Sequence, residues 1–417
     1  MIVKPFRGLR PRPDLASKIP SYPYDVVSRE EAYRLAHDDP YSFLHVVRAE
    51  IDLDPTMDPH DDRVYARSRE NFRGMLERGW LVRDVDPAYY VYRLRMGDHV
   101  QTGIVGAAAV ADYCEGRIKR HEQTRPDKEG DRVRVIQAVG AHPGPVFLTY
   151  PPHPALGACA AASAEHPPAT RFVAADGIEH TLWVVADDGQ RREIERHFAS
   201  VPATYIADGH HRAAAAARAC ASLRRELGAV PADAACHFFL AVHFPADEVR
   251  VLDYNRVVRD LHGLDGASFL ARLRDAGFDV TPDPRTRRPS ARGEFGMYLD
   301  RRWYVLRARP EIVPRDDLTG RLDVSILADR VLAPILAVDD PRTSERIDFV
   351  GGIRGMEELE RRVDAGEGAV AFALWPTGLA DVMRVADAGD CMPPKSTWFE
   401  PKLRSGMVVQ LLEGRPL

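Results

Sequence analysis

Tyr205-Ile206-Ala207-Asp208-Gly209-His210-His211-Arg212-Ala213-Ala214-Ala215-Ala216-Ala217 is the stretch on which the reading of this chain turns. Tyr205–Ala207 has the character of a short strand. Residues 213–227 are dominated by Ala, Leu, Arg and Glu, which favour helix. Asp208-Gly209 must therefore turn strand into helix, with His210, His211 and Arg212 at the junction. A helix start carries backbone N–H groups without intrahelical partners and a partial positive charge, which suits an anion. Gly209 lets the backbone approach a ligand closely, and Arg212 can grip phosphate oxygens with two parallel bonds. Asp208 is open to three roles: helix cap, magnesium ligand, or partner orienting a histidine. A plain Asp cap with two exposed histidines is the simpler alternative, and the concentration of polar chemistry ahead of an alanine helix weighs against it.

Outward from this turn, Cys236–Phe244 reads as an apolar strand and Thr181–Ala186 as another, ended by Asp187-Asp188-Gly189. Alternation predicts strands over Tyr89–Met96 and Val100–Asp112, joined across Gly97-Asp98 as a hairpin. A charged stretch runs from Arg117 to Arg134, a strand covers Pro145–Tyr150, and the Pro/Ala-rich residues 151–170 are expected to form a loop. Upstream, Ser28 and Glu31 make a capping-box signature before Ala32–Ala36, the acidic segment 52–62 reads as a loop, and 63–80 as an amphipathic helix stopping near Gly79. Beyond 262 the pattern restarts. Helices are expected at 267–276, 323–336 and 355–364, a hairpin at Glu294–Leu299 with Trp303–Arg307, a strand at Ala369–Trp375, and a Pro/Arg-rich segment at 282–292. These elements predict an α+β protein in three parts: an extended and helical segment 1–87, a core 88–262, and a C-terminal α+β domain 263–417.

The 417 residues suit two or three domains. A net charge of −5 gives no general attraction to nucleic acid or an anionic membrane. Five widely spaced cysteines without a CxxC pair argue against a disulfide framework and a thiolate zinc site, and fit a reducing compartment. The opening Met1–Arg7 lacks a signal-peptide core, and Arg212 and Arg218 interrupt the alanine run, so no transmembrane helix is expected. The expected location is the cytoplasm.

Three further segments bear polar chemistry. In Lys119-Arg120-His121-Glu122-Gln123-Thr124, a carboxylate flanked by cations can stay ionised and act as general base toward a hydroxyl; a solvated charged face is the plain alternative. His121-Glu122 is no HExxH zinc motif, because position 125 is Arg. Met392-Pro393-Pro394-Lys395-Ser396-Thr397-Trp398 resembles a phosphate-binding P-loop, but Pro394 stands where that loop needs Gly and removes a donor. Lys395, Ser396 and Lys402 could still reach an anion from a rigid loop, or belong to a packed turn. Pro20-Ser21-Tyr22-Pro23-Tyr24-Asp25-Val26 could supply Tyr24 and Asp25 to a pocket wall, or pack at a strand edge.

These motifs together resemble the bacterial and archaeal domain-of-unknown-function family numbered 1015, from Lys4-Pro5-Phe6-Arg7-Gly8 through Pro40–Val46, His121-Glu122 and Ala207–Arg212 to Met392–Lys402. More distantly, the Asp-Gly-His-His-Arg turn looks like that of the free serine kinases, which share a fold with the ParB N-terminal domain and sulfiredoxin. That resemblance implies a ParB/sulfiredoxin-like nucleotide-binding core. It implies Glu122 as base, Asp208 and His210 as further catalytic residues, and Gly209, His211 and Arg212 as phosphate cradle. Tyr24, Asp25, Lys119, His121, Lys395 and Ser396 are possible substrate or phosphate contacts. It also implies magnesium, held at Asp208, with ADP or ATP, and phosphoryl transfer to or from serine or phosphoserine. An insertion around 151–170 is then needed between Glu122 and the turn. A non-catalytic nucleotide or phosphate sensor and a ParB-like switch are the alternatives; a small-molecule substrate is expected, nucleic acid and membrane are not, and a homodimer stays open.

Overall fold

In a computed structural model of the chain, residues 1–412 are described, apart from positions 229, 232, 284 and 286. They form a mixed α+β structure in two units. One comprises residues 1–120, 124–249 and 401–417, the other 121–123 and 250–400.

The first unit is built on a nine-stranded sheet. Its strands are β1 (Val3–Lys4), β2 (Tyr89–Met96), β3 (His99–Ala109), β4 (Ile118–Lys119), β5 (Val146–Tyr150), β6 (Thr170–Val173), β7 (Glu179–Val185), β8 (Thr204–Asp208) and β9 (Phe238–Pro245). They lie in the order β4-β8-β5-β9-β3-β2-β7-β6, with β1 also on β3. β9 runs parallel to β5 and β8 parallel to β4, and the other pairs are antiparallel. The β2–β3 hairpin has the expected register, Met96 facing His99, around Gly97 at φ 59°. Val91, Ile104, Leu148, Ile206 and Phe239 fill its core.

Helices α1 (Arg29–Ala36), α2 (Asp62–Glu77), α3 (Pro126–Val139), α4 (Pro154–Ala164), α5 (Asp188–Ser200) and α6 (His210–Leu227) complete this unit. α1 starts with the capping box read from Ser28 and Glu31, both bonds made. Three helices correct the sequence reading. The charged run 117–134 gives way to α3, which has Pro126 at its first turn. The expected loop 151–170 contains α4, where proline at the first position and an alanine run favour helix. Asp187 ends no turn: its side chain accepts from the Gln190 N–H and caps α5.

The second unit carries a six-stranded antiparallel sheet. Its strands are β10 (Tyr254–Val258), β11 (Phe278–Pro282), β12 (Glu294–Leu299), β13 (Arg302–Ala308), β14 (Ile347–Gly351) and β15 (Val370–Leu374), ordered β11-β13-β12-β15-β10-β14. Helices Gly266–Asp275, Glu357–Asp364 and Leu379–Asp387 accompany it. The β12–β13 hairpin turns through Asp300 and Arg301, both with positive φ. The expected helix 323–336 is α-helical only over Asp323–Leu327 and continues as a π turn over Ala328–Leu332. Of the segment 282–292, positions 284 and 286 lie outside the described residues.

These units divide the chain differently from 1–87, 88–262 and 263–417. Residues 1–87 are tied into the first unit by β1 on β3, and residues from 401 return to it, Leu9 bonding with Val409. A linear reading of composition has no signal for such returns.

Candidate active site

Strand β8 ends in a bulge: Ile206 faces Leu148 while Asp208 faces Phe147, so Ala207 is the extra residue. A bulge re-aims the side chain that follows it, and here that side chain is Asp208. Gly209 then stands at φ 96°, a conformation L side chains avoid. A Cβ there would meet Arg212 Nε at 2.9 Å. α6 begins at His210 with no side-chain cap bond from Gly209, so the expectation of an Asp cap gives way to an uncapped helix start.

Around Asp208 the first unit gathers charge from distant segments. Lys402 Nζ lies 3.4 Å and Arg212 Nη2 3.5 Å from its Oδ2. Asp25 stands 3.8 Å from Arg212 Nη2. Burial pushes the Asp208 carboxyl up, but Lys402, Arg212 and His210 together outweigh it and hold it well below the usual carboxylate range. Arg212 is itself held charged, Asp25, Asp208 and Tyr24 outweighing its desolvation.

Arg212 is the least satisfied member of this group. Its side chain is 10% exposed. Nη1 donates to the Pro145 carbonyl, while the buried Nε and Nη2 lack a hydrogen-bond partner. Beside it, Arg132 stacks 3.8 Å from the centre of the Tyr24 ring. Arg212, Arg132, Tyr24, His142, Gly144 and Ser405 are among the residues lining a cavity of about 30 Å³, room for one water-sized group. His142 is buried and its pKa falls to about 4 by desolvation, so it is neutral at pH 7.

Of the expected site residues, Asp208, Gly209, His210, Arg212, Tyr24 and Asp25 meet in the first unit. His211 Nε2 accepts from the Arg125 N–H at 3.1 Å. Lys119 lies over the Tyr205 ring, 5.9 Å from its centre. Glu122 and His121 belong to the second unit, where the His121 carbonyl accepts from Met392 N at 2.8 Å. Lys395 and Ser396 lie in a packed turn of that same unit: the Lys395 carbonyl accepts from Arg256, and the Ser396 hydroxyl donates to Pro393 at 2.6 Å. The segment meant as an insertion between Glu122 and the turn is helix α4. Lys402, read as a general anion contact, instead grips Asp208. Arg132, known only as part of a charged run, and His142 joined the site with no local signal, since both arrive by tertiary packing.

Asp208 does not fit magnesium. A divalent ion at its Oδ2 would meet two positive charges within 3.5 Å, and among the described residues Asp208 belongs to no group of three or more candidate metal ligands. The carboxylate serves as the counter-charge for Arg212 and Lys402.

A mixed sheet whose strand β8 feeds an uncapped, cation-flanked helix start defines an α+β protein with an anion-receptive turn. The chain belongs to the family described as Protein of unknown function (DUF1015), whose model matches residues 3–325. No curated protein matches the chain. Among solved structures it is similar to a free serine kinase in complex with AMP, at 15% identity and a TM-score of 0.36 over 71% of this chain and 86% of that one. It is similar to a conserved hypothetical protein from Pyrococcus furiosus, at 15% identity and a TM-score of 0.35 over 72% and 93%. SbnI with a C-terminal truncation, from Staphylococcus aureus, matches at 12% identity and a TM-score of 0.37 over 75% and 85%. No helix among the described residues is long and apolar enough to cross a membrane.

Proposed function

We propose that the protein is a nucleotide-dependent small-molecule phosphotransferase with a ParB/sulfiredoxin-like core, acting on free serine or phosphoserine with ATP or ADP as phosphoryl partner. The observation that carries this reading is Arg212, nine-tenths buried at an uncapped helix start with two donor atoms lacking a hydrogen-bond partner. Phosphate oxygens are acceptors of the charge and geometry those donors want. The likeness of the Asp208–Arg212 turn to that of the free serine kinases supports the same reading.

In this reading Gly209, His211 and Arg212 cradle phosphate, Asp208 fixes Arg212, and His210 at the first helical position is a further catalytic candidate. Glu122 takes the base role by that resemblance alone. The acceptor hydroxyl oxygen bonds to phosphorus, the bond from phosphorus to the nucleotide oxygen breaks, and the hydroxyl proton passes to Glu122. Rate would come from positioning and charge neutralisation. Phosphorus NMR of the protein with magnesium nucleotide and serine or phosphoserine tests this. Turnover is expected, and its loss in folded Arg212→Met and Glu122→Gln. Nucleotide binding without turnover across a panel of hydroxyl compounds would leave a sensor, and a salt-sensitive DNA complex a ParB-like switch.

A further inference from the structure

The five cysteines have no metal-binding spacing in sequence, yet the fold brings two of them together with a histidine. Cys220 lies on α6, Cys236 and His237 on the 3-10 turn Ala235–His237 that precedes β9. The two Sγ atoms and a ring nitrogen of His237 all lie within 4.8 Å of one another. Cys220 Sγ is 3.6 Å from His237 Nδ1. In tetrahedral zinc sites with Zn–S near 2.3 Å and Zn–N near 2.0 Å, ligand atoms stand roughly 3.5–3.8 Å apart, so small side-chain adjustments close this group around one ion.

We propose that Cys220, Cys236 and His237 form a zinc site with a fourth position left for a non-protein ligand. Both cysteines are buried, and His237 is half-buried and opens the group toward solvent. Ile136, Ala219, Leu223 and Leu412 pack around Cys236, a dry apolar shell that strengthens thiolate–metal attraction and offers no oxygen to magnesium or calcium. Buried cysteines alone are more often small apolar packers; the imidazole converging on both sulfurs is what distinguishes this group. Burial raises both thiols, Cys220 to about 11, so zinc must displace their protons, with two protons released per ion bound.

Zinc titration of the reduced full-length protein against a chromophoric chelator tests the site. One tightly bound zinc is expected, with release of two protons, and a sulfur-to-cobalt charge-transfer band when cobalt(II) replaces zinc. His237→Gln and Cys220→Ala are expected to weaken zinc by at least roughly a hundredfold, beyond the loss typical of outer partners. Cys159→Ser should leave binding unchanged. Should Cys220→Ala fail to fold, the half-buried His237→Gln decides alone. No zinc uptake, uptake insensitive to His237→Gln, or a Cys220–Cys236 disulfide in place of metal would each overturn the proposal.

Discussion

Asp208 in the first unit and Asp323 in the second are both carboxylates drawn out of water, and they titrate in opposite directions. For each, burial is the largest influence and pushes the pKa up. At Asp208 the cations Lys402 and Arg212 stand within 3.5 Å and reverse it. At Asp323 the bonds come from the neutral Gly293 N–H, at 3.0 and 3.1 Å. The neighbouring Asp381 collects Arg292, Arg384 and Arg321. Asp323 therefore rises to about 7. The same burial yields an ionised counter-charge or a neutral acid, depending on which carboxylate holds the arginines.

The largest expected effect is an opposite response of the two units to acid. In the first, burial lowers His142 to about 4, His180 to about 3 and His243 to about 4. A histidine whose folded pKa is depressed takes its proton sooner unfolded, so stability present above pH 6.5 is lost as pH falls toward 4. Asp208, depressed below 3.8, adds a loss at lower pH. Together these amount to several kcal/mol. Hydrogen exchange followed at β3 and β12, at pH 7 and 4.5 and corrected for intrinsic rates, should show β3 losing protection and β12 gaining it; equal changes would break the comparison.

The second effect isolates Asp323. A carboxyl with a raised folded pKa holds its proton more tightly when folded, so its penalty is absent near pH 4 and complete above pH 7. The second unit should lose roughly 2–4 kcal/mol between those limits, and Asp323→Asn should flatten that slope; an unchanged slope in denaturant melts would assign it elsewhere. Third, Lys402→Met should cost about 2 kcal/mol and raise the Asp208 pKa, read by melts and by carboxyl titration in NMR. A carboxylate that keeps its low pKa without Lys402 would mean that Arg212 alone holds it. The smallest effect is expected from Gly209→Ala, which strains a residue at φ 96° and crowds Arg212. It should cost about 1–2 kcal/mol and weaken phosphate binding; a neutral melt would show that the turn relaxes freely.

Much of the fold was legible because its signals are local. The Ser28–Glu31 box, the Gly97 hairpin and the Ala-rich α6 each depend on residues a few positions apart. α4 and α5 were missed because Pro, Ala and Asp serve loops and helix starts alike, and only the chain that follows decides between them. The Asp208–Arg212 turn was legible as a turn, with its glycine and its helix start.

Sequence alone determined that this turn exists, that its glycine must take a left-handed conformation to start a helix, and that no P-loop or HExxH motif competes with it. Only tertiary structure decided what the turn is made to do. Lys402 reaches Asp208 across 194 positions, Asp25 and Pro145 close on Arg212 from two other segments, and Glu122 lies in the other unit. Cys220 meets Cys236 and His237 only once α6 and β9 are packed. Charge balance and ligand geometry depend on distance in space, and these residues are neighbours nowhere but in the folded chain.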